Sequence, residues 1–245
     1  MTRASISSRG LIFALAFSCL STLSAEEVEL NGRAWMDMNY GPYLTASIEV
    51  GRKNIAHKGI AVRVDSGAGG VSKGRAFQVF DTDTLRGAGG WTGKGFINWR
   101  SIVFDGSHGT HPRIVGNRVY ANAPGPGWAR GDNDFEDVRV VGKDGVRYGP
   151  LSRDWAHWKG LYVHGDRVVL SYTVGGTKVL ESPTSESEGD SLALVRNFDV
   201  GPRSKDLILR VAQEPRKPDS DDAGESVLVF VGAETKAPKA KRDAP

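Results

Sequence analysis

Two histidines three residues apart, His108 and His111, sit in "FDGSHGTHPRIVG" (104–116), a glycine-rich stretch that also carries Asp105 and Arg113. Imidazoles at this spacing suit one of two tasks. They ligate a metal such as zinc or copper, or they bond backbone carbonyls and a ligand within an ordered loop. A firm metal site needs at least one more ligand, for which His157 and His164 are the candidates, with His57 behind them. Four imidazoles make such a site without help from cysteine. A His-x-x-His in a loop does not force its rings to converge, as histidines at i and i+4 on a helix would. The ordered-loop reading is therefore preferred, with glycines allowing the bends and Pro112 fixing the exit.

Other residues offer other chemistry. "FDTDT" and "RGDNDFED" place Asp81 with Asp83, and Asp132 and Asp134 with Glu136 and Asp137, as oxygen donors for calcium. The second lacks the glycine and distal glutamate of an EF-hand, so a solvated loop is the plainer reading. "GAGGVSKG" and "GAGGWTGKG" resemble phosphate-binding loops, but neither has G-x-x-x-x-G-K-[ST] or a following helix, and both are expected to be loops. There is no G-x-S-x-G elbow, and no catalytic residue is assigned. Trp91, Trp128, Trp155 and Trp158 fall in or beside expected loops. With Asp105 and Arg113 they are the candidates for contacting a ligand, and an indole face bordered by polar groups suits a sugar ring. The plain alternative for each tryptophan is packing.

Composition narrows the classes. Arg3 and Arg9 precede a mostly apolar run from Leu11 to Leu23, and Leu23-Ser24-Ala25 has the pattern that signal peptidase accepts. Residues 1–25 are expected to be a signal peptide. The run is well short of the ~20 residues that span a bilayer, so no transmembrane anchor is expected and the location is periplasmic or secreted. Cys19, the single cysteine, leaves with the leader. No disulfide, thiolate ligand or C-x-x-C-H remains, so covalent haem is not expected and no cofactor is expected beyond a divalent zinc, copper or calcium ion. Arg3 and Arg9 leave too, which takes the formal charge from +3 to +1 and removes the case for a nucleic-acid partner.

The elements that must position these residues read as strands. Leu44, Ala46, Ile48 and Val50 alternate with polar neighbours in "LTASIEV", as do Ile60, Val62 and Val64 in "IAVRVD". "RAFQVF", "GFINWRSIVF", "RIVGNRVYA", "DVRVV", "SLALVRNFDV" and "DLILRVA" behave similarly. "GLYVHGDRVVLSYTVGGTKVLES" (160–182) reads as a three-stranded meander turning at His164-Gly165-Asp166 and at Gly175-Gly176, and Asp144-Gly145 marks another hairpin. Short helical turns are expected only near "SRDWAHW". The fold expected for residues 26–213 is an all-β antiparallel sandwich of about ten strands with long glycine-rich loops. A polar linker (214–226), one extra strand (227–232) and a basic disordered tail (233–245) follow.

"MNYGPYLTASIEV", "KGIAVRVDSGAGGVSKGRAFQVFDTDTLR", "WRSIVFDGSHGTHPRIVG" and "GPLSRDWAHWKGLYVHGDRVVLSYTVGGTKVLES" together resemble an uncharacterised N-terminal domain of large exported bacterial proteins. Those proteins commonly continue into β-propeller-like and c-type cytochrome domains. The resemblance covers roughly residues 35–212. It implies a periplasmic or surface module attached to redox machinery for sugar or polysaccharide breakdown, and it transfers no catalytic residue. The expectation is a non-catalytic binding or accessory module, with a carbohydrate ligand and a separate cytochrome or propeller protein as partners. The alternatives are a metal-dependent enzyme built on the histidines, or a truncated piece of a larger cytochrome-containing protein.

Overall fold

The computed structural model describes residues 34–51, 53–99, 111–189 and 191–212. The leader, the linker, the 227–232 segment and the tail lie outside the described residues, as do Asp105, His108 and the second half of "GFINWRSIVF".

Eleven strands are described, joined into three antiparallel sheets. The first sheet runs in chain order through β1 (Tyr43–Gly51), β2 (Asn54–Arg63), β3 (Ala76–Asp81), β4 (Arg86–Thr92) and β5 (Asn117–Ala121). The second comprises β8 (Ala156–His164), β9 (Arg167–Val174), β10 (Thr177–Glu188) and β11 (Ser191–Val200), again as neighbours in sequence order. A two-residue ribbon, β6 (Val140–Val141) with β7 (Arg147–Tyr148), makes the third. Helical content among the described residues is two 3₁₀ turns, Ala34–Asp37 and Gly70–Lys73.

The two large sheets pack as a sandwich, and period-two alternation decides which side chain meets which layer. On β3, Phe80 joins Ile60 and Val62 of β2 against Val168, Leu170, Tyr172 and Val179 of the second sheet. Phe77 and Val79 point the other way, into a second core with Ile48, Val50, Ala88, Trp91 and Phe96. The first sheet is thus buried on both faces, and every residue of β3 is buried. Strand β1 would be a bare edge, but residues 112–114 lie along it. Glu49 N donates to Pro112 O at 2.8 Å, and Ile114 N donates to Glu49 O at 3.2 Å. That same stretch continues into β5, which pairs with β4, so one run of chain ties the two outer strands of the sheet together and blunts its edge.

Several expectations need correction. "GAGGWTGKG" is not a loop: Arg86–Thr92 forms the inner strand β4. Its glycines are there because neighbouring side chains occupy the space above them. A Cβ on Gly87 would stand 2.9 Å from Arg196 Cζ, and one on Gly90 would stand 2.7 Å from Tyr120 Cε1 while overlapping Leu194. "RIVGNRVYA" is broken at Gly116, whose φ of 98° turns the chain out of strand geometry. "DLILRVA" supplies only an isolated bridge, Leu209 with Trp128, and "DVRVV" only the short β6. The meander expectation holds: β8, β9 and β10 join in register, and positive φ at both Gly175 and Gly176 suits the tight turn between β9 and β10. Near "SRDWAHW", the amides of Trp155 and Ala156 both donate to Ser152 O, which closes a single turn.

Candidate functional site

The most concentrated set of chemistry-bearing side chains lies where a β-bulge on β2 meets the turn after β3. Ala46 pairs with Gly59 and Ile48 with Ala56, so His57 and Lys58 together oppose Ser47 alone. Such a bulge bends the strand and re-aims its side chains. Two contacts pin it. Ser47 Oγ donates to His57 O at 2.7 Å, and the amide and hydroxyl of Thr82 both donate to Lys58 O.

Around His57 the structure gathers residues from distant parts of the chain. The ring of His111 stands edge-on at 6.1 Å between centroids, and that of Tyr148, from β7, is tilted at 5.0 Å. The Tyr148 hydroxyl donates to Asp144 Oδ2 at 2.7 Å, which holds the Asp144 carboxyl below the usual range and raises the phenol. Burial lowers the His57 pKa; the nearby His111 and Arg139 act in the same sense, while Asp81 and Asp83 oppose them. His57 is therefore a neutral imidazole near neutral pH, able to donate from one ring nitrogen and accept at the other.

Beside His57 opens a groove of about 340 Å³, bordered by Thr45, Ser47, Lys58, Thr82 and the half-buried Trp158. Trp158 comes from β8 of the second sheet, and its indole is steadied by the ring of Phe80, 5.8 Å away. The groove thus combines one aromatic face, three hydroxyls, an ammonium and an imidazole. Lys58 Nζ lies 3.3 Å from Asp83, whose own side chain is buried. Among the described residues, no serine or threonine hydroxyl bonds a histidine ring. The arrangement is one for holding a polar ligand against an aromatic surface.

The residues singled out from sequence fall into distinct places. Trp91, Trp128 and Trp155 are buried; Trp91 donates from Nε1 to Phe96 O at 3.0 Å, and Trp128 and Trp155 belong to the core between the sheets. Packing, the plain alternative, describes these three. Of the four tryptophan candidates, only Trp158 borders the groove. Arg113 is exposed and pairs with Glu49 at 2.7 Å. His157 and His164 lie on β8, where the ring of His157 is 2.9 Å from Lys159 Nζ, and neither makes a ring contact with His111. His111 instead meets His57, the residue ranked last as a partner. No local signal in the sequence raises His57, because its meeting with His111 depends on the bulge in β2 and on the segment that closes the sheet.

Four of the six acidic candidates, Asp81, Asp83, Asp134 and Asp137, pair with cations of the chain itself. Asp81 faces the buried Arg86 at 3.6 Å. Asp134 pairs with Arg130, and Asp137 makes a two-pronged contact with Arg139. Burial opposes ionisation of Asp137, but those hydrogen bonds hold its carboxyl below the usual range. Among the described residues, no three histidine, cysteine or carboxylate side chains cluster as metal ligands. No described helix is long and apolar enough to cross a membrane.

Comparison with known proteins adds one match. A domain of unknown function, DUF6797, matches residues 78–181, from the middle of β3 into β10. The matched stretch includes His111, Tyr148 and Trp158 but not His57. No curated protein and no solved structure matches the chain.

Proposed function

We propose that this chain is an exported, non-catalytic binding module whose groove at the His57–Lys58 bulge holds a carbohydrate. The observation that carries this reading is an open groove of about 340 Å³ lined by the partly exposed Trp158 together with Thr45, Ser47, Thr82 and Lys58. A sugar ring has an apolar face that stacks on indole and equatorial hydroxyls that bond polar side chains, which is the pattern lining this groove. The signal-like leader supports export. The resemblance to modules joined to cytochrome and propeller domains supports a role beside sugar-oxidising machinery, with a separate redox protein as partner.

The test is to titrate the purified chain with a panel of neutral and acidic oligosaccharides, following tryptophan fluorescence and heat. At least one sugar should bind, and Trp158→Ala should weaken it about tenfold or more, in line with the loss of an aromatic anchor. The absence of saturable binding across the panel, or equal binding by Trp158→Ala, rejects the reading.

One observation favours a second reading. His57 and His111 bring two imidazoles together, the start of a site for zinc or copper. Near-stoichiometric metal in purified protein, lost in His111→Ala, would put that reading first.

A further inference from the structure

Between the two large sheets lies a set of buried polar side chains distinct from the groove. Tyr172 donates to Glu181 Oε2 at 2.7 Å, and Arg196 Nε donates to Glu181 Oε1 at 2.6 Å. Tyr120 donates to Gln78 Oε1 at 3.2 Å, and Gln78 Nε2 donates to the carbonyls of Thr184 and Val195. The circuit has one open point. Arg196 is 93% buried, yet Nη1 and Nη2 make no hydrogen bond. Phe198 covers one side of the guanidinium, 5.1 Å from Cζ. Near it is a cavity of about 10 Å³ whose lining is polar in part, with Arg196, Gln78, Tyr120 and Glu181 beside Gly87, and apolar in part, where Leu170 and Phe80 are among the residues that close it.

We propose that this cavity is a binding site for a single ordered water, which accepts from the Arg196 guanidinium and donates to two of its polar neighbours. Volume and charge select the ligand. About 10 Å³ is the room one water needs, and a water must find two to four polar partners. The acceptors are present: Gln78 Oε1, Tyr120 Oη and each Glu181 oxygen keep a free lone pair after the bonds above. An anion is disfavoured because Glu181 already balances Arg196, and a cation because the guanidinium is there. Gly87 makes the room, since a Cβ at that position would stand 2.9–3.2 Å from the guanidinium. The water joins Arg196 of β11 to polar groups on β10 of its own sheet or on β3 and β5 of the other, and satisfies buried donors that would otherwise oppose folding.

The experiment combines a high-resolution crystal structure of the full chain with oxygen-17 magnetic relaxation dispersion, which counts long-lived internal waters. The expected result is one solvent peak within hydrogen-bond distance of Arg196 Nη1 or Nη2. In solution, the count should fall by one in Gly87→Ala and stay unchanged in Gly145→Ala on the exposed β6–β7 turn. Should Gly87→Ala fail to fold, Tyr120→Phe serves instead, shortening the residence time about tenfold through loss of one hydrogen bond. A guanidinium with no solvent peak beside it overturns the proposal. So does an unchanged count or residence time in these variants, or an anomalous bromide peak at the site in bromide-grown crystals.

Discussion

The rings of His57 and His111 meet edge to face, 6.1 Å between centroids, although one lies on β2 and the other precedes a segment pairing with β1. Their meeting depends on closure of the first sheet. The Pro112–Ile114 segment lies against Glu49, which places His111 beside the bulge that re-aims His57. A charge on His111 opposes protonation of His57.

Stability should therefore depend on pH through His57. Burial lowers its folded pKa beneath the ordinary 6.5. In the window between the folded value and 6.5, the unfolded chain binds more protons, so stability rises with pH. The contribution is fully present above 6.5 and lost as pH falls through the folded value. Urea midpoints measured from about pH 5 to 8 should show this slope flattened in His57→Gln. His157, on β8, is lowered in the same direction, so His157→Gln is the comparison variant. Equal slopes in wild type and His57→Gln would refute the assignment.

The Glu181–Arg196 pair should be costly to break from one side. Glu181→Leu leaves a buried guanidinium without its counter-charge, an expected loss of about 3–5 kcal/mol. The double variant Glu181→Leu/Arg196→Met removes both charges and should recover most of it. Chemical denaturation of the two proteins decides, and a double variant no more stable than the single one contradicts the reading.

Alkaline titration reports on the same interior. Burial pushes the Tyr120 phenol up to about 12, and Tyr172 rises well above 10. Unfolded tyrosines ionise near 10, so the stability these groups contribute is fully present below 10 and declines as pH rises through their folded values. Phenolate absorbance should show three tyrosines titrating late: Tyr148 beside Asp144 at the surface, and Tyr120 and Tyr172 in the interior, the last two together with loss of structure. Replacing Tyr120 by Phe should remove one of them.

Gly90 tests the packing of β4. Adding a methyl there forces Leu194 and Tyr120 to move, an expected loss of about 1–3 kcal/mol for Gly90→Ala. Thermal unfolding measures it. Unchanged stability would mean that the two side chains move aside freely.

Asn122 joins β4 to the final described segment, donating from Nδ2 to the carbonyls of Gly87 and Val211. Asn122→Ala leaves both acceptors without that donor, an expected loss of about 1–3 kcal/mol. Hydrogen exchange should speed up at the amides of Ala129 and Arg210, which bond across the 127–129 and 207–211 stretches. If those amides keep their protection, Asn122 does not hold the segment.

Sequence by itself determined the elements whose causes are local. Alternating side chains in Leu44–Val50 and Ser191–Val200 announce strands because each strand residue faces the layer opposite its neighbour's. Gly175-Gly176 and Asp144-Gly145 announce hairpins because few other residues take positive φ cheaply. Sheet order was left open by the sequence; the fold settles it as consecutive antiparallel pairing in both large sheets. Tertiary structure alone decided what depends on distant neighbours. "RGAGGWT" reads as a loop until Leu194, Tyr120 and Arg196 are seen filling the space above its glycines. Trp158 and Trp155 look equivalent in sequence, yet one borders a groove and the other is buried beneath Arg130. His57 finds His111 because a bulge and an edge-closing segment put them together, and neither His57 nor His111 carries that information in its own surroundings. Periodicity and turn chemistry act over a few residues, whereas side-chain partnership is set by how the sheets close and stack, which requires the whole chain.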